Sequence, residues 1–342
     1  MKNVNRRDFV VGAGATTGVM AIAGFRPAPA YAQAAEVTLK WANALPATHP
    51  SSMRAAEAAE QIKRETKGRV EMQVFPNSQL GGDNEMLSQM RSGAIDCMLL
   101  SPVILATLVP VASINGVGFA FKSYDEVWAA MDGDLGAHVR EAIRKVGLVP
   151  MDKIWDSGYR HITSSSKAIV SPDDLKGFKI RVPVAPMWTS MFKALGAAPA
   201  GLPFPEVYSA LQTKVMDGQE NPLPIIQASK IYEVQKHCSL TGHMWDGHWF
   251  LFNARSWARI PKEFQEPIAR IINTLGLAQR GDISRLTSTL ITQLTTAGMA
   301  VRSVDKAPFQ LALRNADFYG EWRKKFGDEA WVLLEKYAGK LS

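Results

Sequence analysis

Leu175-Lys176-Gly177-Phe178-Lys179-Ile180-Arg181-Val182-Pro183 opens the stretch on which the fold turns, and Asp217-Gly218-Gln219-Glu220-Asn221-Pro222 closes it. Phe178, Ile180 and Val182 alternate with Lys179 and Arg181, the period of a β-strand with one buried face. Pro183 has no N–H to give a central ladder, so the strand stops there and leaves Arg181 near its carboxyl end. Open α/β sheets bind ligands at that end. A guanidinium presents a planar fork of donors that matches a carboxylate, which a lysine cannot do. Between the two ends the spacing predicts a short helix, a Gly-Ala-Ala-Pro turn and a second short helix. Asn221, held extended by Pro222, presents its amide outward, as suits an acid with a neighbouring oxo or hydroxyl group. The plain alternatives are a surface arginine at a strand edge for Arg181 and turn chemistry for Asn221.

Outward from this stretch, strands and helices alternate. Residues 37–42 and 70–75 read as strands with a helix over 52–67 between them, and a helix over 84–92 leads to a buried strand at 95–100. Such alternation means βαβ units and parallel pairing. Helices follow at 103–111, 124–131 and 138–146. A strand over 148–155 runs into Asp156-Ser157-Gly158-Tyr159-Arg160, so Arg160 ends a strand much as Arg181 does. Residues 237–241 and 248–253 read as separate strands, with His243, Asp246 and His248 in or beside a surface loop. A helix spans 262–297, a strand follows at 299–303, and helices at 308–326 and 328–341 finish the chain. Strands of one apparent lobe lie far apart in sequence, so the chain crosses between domains more than once.

Composition is that of an ordinary globular protein, with 46% hydrophobic and 21% charged residues in 342. Asn5-Arg6-Arg7-Asp8-Phe9-Val10, a mildly apolar run and Ala30-Tyr31-Ala32 read as a twin-arginine export signal over 1–32, cleaved near Ala32 in the periplasm. The run is too short and weak for a membrane anchor. Without those residues 35 basic and 31 acidic side chains remain, a scattered net +4 that does not point to nucleic acid. Cys97 and Cys238 are expected to be free and buried. No phosphate loop, nucleophile elbow or zinc-ligand spacing occurs. Trp188 and Trp245 fall beside the two arginines and could form a flat apolar wall.

The runs Gly158-Tyr159-Arg160-His161-Ile162-Thr163 and Asp174 through Pro183, with Ala194-Leu195-Gly196-Ala197, carry a family resemblance. Glu206 through Gln212, Asp217 through Pro222, Tyr232-Glu233-Val234-Gln235-Lys236 and Gln79-Leu80-Gly81-Gly82 extend it. Together they resemble the solute-binding proteins of tripartite ATP-independent periplasmic (TRAP) transporters. The resemblance implies an α/β fold of two lobes, residues 33–158 with 247–286 and residues 159–246 with 287–342, closing over one ligand beneath a long bridging helix. It implies Arg181 as the partner of a ligand carboxylate, Arg160 as a second anion contact, Asn221 as an added amide and Phe204 as a packing surface. Asn43 and Asp83 match positions that touch larger polar ligands. Ser101 stands where sugar-acid binders carry an acid, a departure from a sialic-acid-like ligand. The resemblance thus implies a small organic acid handed to a TRAP-type membrane permease, with no cofactor. An aromatic 2-oxo or 2-hydroxy acid is the expected ligand, and a four-carbon dicarboxylate the alternative. A monomer is expected, with a dimer through the long helix as the alternative. A lyase or hydrolase built on His243, Asp246 and His248, or a receptor module serving a sensor, are the rival readings.

Overall fold

The computed structural model describes residues 35–341. The export-signal reading therefore lies outside the described residues. Ten strands form one mixed sheet: β1 Val37–Ala42, β2 Val70–Phe75, β3 Cys97–Leu100, β4 Leu148–Pro150, β5 Trp155–Ser164, β6 Lys179–Val182, β7 Ala198–Gly201, β8 Gly218–Pro222, β9 His237–Asn253 and β10 Ala300–Ser303. Their order is β2-β1-β3-β9-β5-β8-β6-β7, with β4 and β10 also pairing with β9. The parallel pairs β1–β2 and β6–β7 bear out the βαβ reading.

The 17-residue β9 is common to both halves of this sheet. Its last residues lie antiparallel to β3 and β4, and its first residues pair with β5 and β10. Expected as two strands around a surface loop, it is one continuous strand, buried from His243 onward. Polar residues within it read as a loop, yet their partners come from β5, β8 and Ser101 rather than from water. Similarly, the strand expected over 148–155 is two strands, with Pro150 ending the first. Arg160 consequently lies inside a ten-residue strand rather than at its end. Gly158, at φ +112°, sits beside a break in β5–β9 register, where a Cβ would meet Pro222 at 3.2 Å.

Two helix expectations also change. Residues 103–111 form a single turn, Pro102–Leu105, and a 3-10 segment, Pro110–Gly116, because Pro110 cannot continue an α-helix. The helix expected over 308–326 breaks into Ala307–Asn315 and Phe318–Phe326 at Asp317, whose φ is +53°. The Gly-Ala-Ala-Pro segment runs into edge strand β7, where Pro199 is tolerated. Lys262–Thr296 is one helix of 35 residues, roughly 50 Å at about 1.5 Å per residue. It packs on Pro50–Glu65 beside one half of the sheet and on Leu223–Ala228 beside the other. Gly276 lets it approach β5, since a Cβ there would lie 2.6 Å from Trp155 Nε1. Cys97 and Cys238 are free and buried, as expected.

Candidate functional site

Where β6 ends, Arg181 turns into the sheet's central cavity with only 2% of its surface exposed. Its Nε and Nη2 donate to Leu202 O at 2.9 and 2.5 Å, and its guanidinium carbon lies 5.9 Å from the centre of the Phe204 ring. The remaining nitrogen, Nη1, is buried with no hydrogen-bond partner. Burial pulls the Arg181 pKa down to about 10, against the nearby charges of Glu220 and Asp83. The group therefore stays cationic at neutral pH while lacking a carboxylate partner of its own.

Arg160, 3% exposed, is the opposite case. Nε and Nη2 grip the Glu220 carboxylate at 2.5 and 2.8 Å, Nη1 reaches Asp246 at 3.1 Å, and Nη2 also donates to Asn221 Oδ1 at 3.0 Å. Burial alone would lower the Arg160 pKa, but Glu220 and Asp246 raise it. Glu220 is buried too, a circumstance that favours protonation, yet Arg160 and His243 hold its pKa below the usual carboxylate range. His243 Nε2 lies 3.1 Å from Glu220, and Thr241 Oγ1 lies 2.8 Å from His243 Nδ1. Asn221 does not face outward as expected: it is buried, accepting from Arg160 and donating to Gln219.

Acceptors and aromatic groups complete the cavity. Asp83 is the first residue of helix Asp83–Ser92, and burial pushes its carboxyl up to about 6. Asp246 is pushed to about 6 by burial, against the pull of Arg160 and of Ser101, whose hydroxyl donates to it at 2.9 Å. His248 was read as part of a loop but lines the cavity. Burial draws its pKa down to about 3, and its Nδ1 is buried without a partner. The ring of Trp188, on helix Pro186–Ala194, centres 4.8 Å from the Arg160 guanidinium carbon, and its Nε1 also lacks a partner. Ala44, Leu45, Leu99, Ile104, Pro183 and Ile225 complete the wall.

The structure thus gathers Arg181, Arg160, Asn221, Phe204, Trp188, Asp83 and Ser101 around one cavity of about 50 Å³. Two expected residues are not in its lining. Asn43 shapes its own loop, its Oδ1 accepting from Leu45 N at 2.9 Å and from Ser52 Oγ at 3.1 Å. Trp245 turns the other way from Asp246 along β9, donates to Asp156 Oδ1 at 2.9 Å and packs edge-on against Trp128. No flat wall of two tryptophans forms. Among the described residues no three His, Cys, Asp or Glu side chains come together as a metal site.

Comparison with known proteins identifies the family. The family model DctP, bacterial extracellular solute-binding protein family 7, matches residues 41–318, and the chain belongs to that family. An uncharacterized protein of Sinorhizobium fredii, y4mM, is 38% identical over 75% of this chain, although the match spans only 47% of that protein. The TRAP periplasmic solute-binding protein of Polaromonas sp. JS666, solved with D-erythronate, is 30% identical. It superposes with a TM-score of 0.84 over 89% of this chain and 98% of its own. The TRAP protein of Sulfurospirillum deleyianum, solved with succinate, is 29% identical, with a TM-score of 0.83 over 89% of this chain and 99% of its own. The resemblance drawn from the short motifs is borne out, as is the two-lobed α/β fold class.

Proposed function

We propose that this protein captures a small hydroxylated monocarboxylic acid in the periplasm and delivers it to a TRAP-type permease. The carrying observation is the unpartnered Nη1 of Arg181, a buried cationic donor at the wall of the cavity. Leaving such a donor unmatched costs about 1–3 kcal/mol or more, and a ligand carboxylate would remove that cost. Trp188 Nε1 and His248 Nδ1 are further unmatched groups for the same acid.

Charge decides between the candidate acids. Arg160 is already matched by Glu220 and Asp246, so Arg181 is the one lining cation left for a ligand. A second ligand carboxylate would face Asp83 and Asp246 across the cavity, which disfavours a dicarboxylate. Hydroxyl groups suit the same two carboxylates as donors. Size argues in the same direction: a cavity of about 50 Å³ holds roughly four waters at about 12 Å³ each. A four- or five-carbon acid matches that space better than an aromatic one, and Trp188, the expected wall, is already stacked on Arg160.

The lobes expected over residues 33–158 with 247–286 and over 159–246 with 287–342 swing, in this reading, about β5 and β9. The acid must bind the closed state better than the open one, and the contact with Arg181, enclosed only on closure, supplies the difference. A twin-arginine signal over 1–32, cleaved near Ala32, takes the folded chain to the periplasm. Capture without turnover distinguishes this protein from a lyase or hydrolase. Calorimetry of the purified mature chain tests the reading: D-erythronate is expected to bind, succinate at least tenfold more weakly, and neither to be converted. Arg181→Ala is expected to cost about two to three and a half decades of affinity, from about 3–5 kcal/mol for an unpaired buried carboxylate. Less than a fivefold loss would remove Arg181 as the anchor, and tighter binding of succinate would reverse the choice of acid.

A further inference from the structure

Across the sheet from the ligand cavity lies a second one, of about 360 Å³. Neighbouring residues on the same strands build it: Arg160 faces the first cavity, whereas Tyr159 and His161 face the second. Lys122 and Lys306 complete its rim, and no Asp or Glu lines it. Among the described residues, the ion pairs formed by lysines are made by others, Lys153, Lys167, Lys176, Lys230, Lys325 and Lys336. Lys306 lies tight against the backbone, because a Cβ on Gly242 would come within 2.8 Å of its Nζ.

Further donors line it, beside the hydroxyls of Tyr124, Thr287 and Ser303, which can donate or accept. Gly242 N donates to His161 Nδ1 at 3.0 Å, which leaves the proton of the neutral ring on Nε2. Burial holds that ring neutral, and the charges of Lys306 and Arg160 reinforce the effect. The Tyr159 hydroxyl is buried without a partner. Glu126 is near but engaged, accepting from Lys122 N at 2.7 Å.

We infer that this second cavity binds a small polyanion carrying two or more oxyanion groups, through Lys122, Lys306 and the His161 and Tyr159 donors. Two ammonium groups with hydrogen-bond donors between them, on a wall without carboxylates, are complementary to such a ligand. Phosphate-bearing and carboxylate-bearing anions share this chemistry, so pyrophosphate and citrate serve as separate probes. The site does not depend on which acid occupies the first cavity.

Titration calorimetry of the mature chain with each probe tests the inference. At least one probe is expected to bind, and Lys122→Gln with Lys306→Gln to weaken it tenfold or more without altering capture of the acid in the first cavity. Arg181→Ala is expected to leave probe binding unchanged. The inference is overturned if neither probe binds at millimolar concentration, or if Arg181→Ala abolishes binding, which would put the anion in the first cavity. An equal loss from Lys63→Gln with Lys67→Gln, a pair of exposed lysines on another surface, would reduce the effect to general charge and also overturn it.

Discussion

Arg160 and Arg181 are equally buried and line the same cavity, yet their surroundings differ in kind. Around Arg160 every strong donor meets an acceptor: Glu220, Asp246 and Asn221 surround it, and His243 and Ser101 in turn hold those carboxylates. Around Arg181 only one backbone carbonyl accepts, and one nitrogen is left over. The saturated arginine joins β5, β8 and β9 into one body, and the unsaturated one keeps a donor that no group of its own chain meets. A guanidinium in a cavity is therefore an anion site only to the extent that its own chain has left it unmatched.

The strongest test of that contrast is to remove each arginine and measure stability without ligand. Arg160→Ala is expected to cost about 3–5 kcal/mol in urea denaturation, because Glu220 and Asp246 are left as buried, uncompensated charges. Arg181→Met is expected to change stability by less than about 1 kcal/mol, since an apolar side chain of similar length replaces a cation whose burial was poorly compensated. Similar losses for both would abolish the distinction.

Asp83 sharpens the comparison through pH. Its folded pKa, raised to about 6 from 3.8, means that the folded chain binds a proton where the unfolded one does not. Stability from this group is thus present below about 4 and lost as pH rises through 6. Asp83→Asn is expected to be more stable than the parent by about 1–2 kcal/mol at pH 8, with the difference vanishing near pH 4. The helix start beneath Asp83 favours its charge and keeps the expected gain small. His49, His161 and His248, with pKa values lowered to about 3 by burial, act in the opposite sense. The unfolded chain protonates them below about 6.5, so acidification from 6.5 towards 3 destabilises through these three. Denaturation midpoints of parent and variant at pH 4, 6 and 8 separate the two contributions.

Ser101→Ala is expected to be far milder than Arg160→Ala. Asp246 keeps Arg160 and Gly247 N as donors, so a loss of about 1 kcal/mol in stability is expected from the missing hydroxyl. A much larger loss would mean that the saturated cluster depends on each member rather than on Arg160.

Alternation around Arg181 was enough to place it near a strand end, where the structure turns it into the cavity, because period-two patterning and a following proline act locally. The family, the fold class and six of the lining residues followed from the resemblance carried by short motifs, and Trp188 from its place beside the arginines. What sequence could not reveal was the interior of β9: its His, Asp and Gly residues have loop composition, and only cross-strand partners far away in the chain make them core. The same applies to Asn221, whose amide is claimed by Arg160, 61 positions away. Trp245 was misplaced for want of the strand's phase, since neighbouring positions on one strand face opposite sides. His248 could have been found by extending the alternation of residues 248–253 back to Asp246.

β9 also constrains how the protein is made. It completes both halves of the sheet, yet ends only at Asn253, so a ribosome adding about 5–20 residues per second needs roughly 13–50 s before either half can be finished. Until then β3 and β5 have an unpaired edge each, the kind of surface that chaperones shield and that aggregates when they do not. Folding of the whole sheet is thus delayed until most of the chain has emerged.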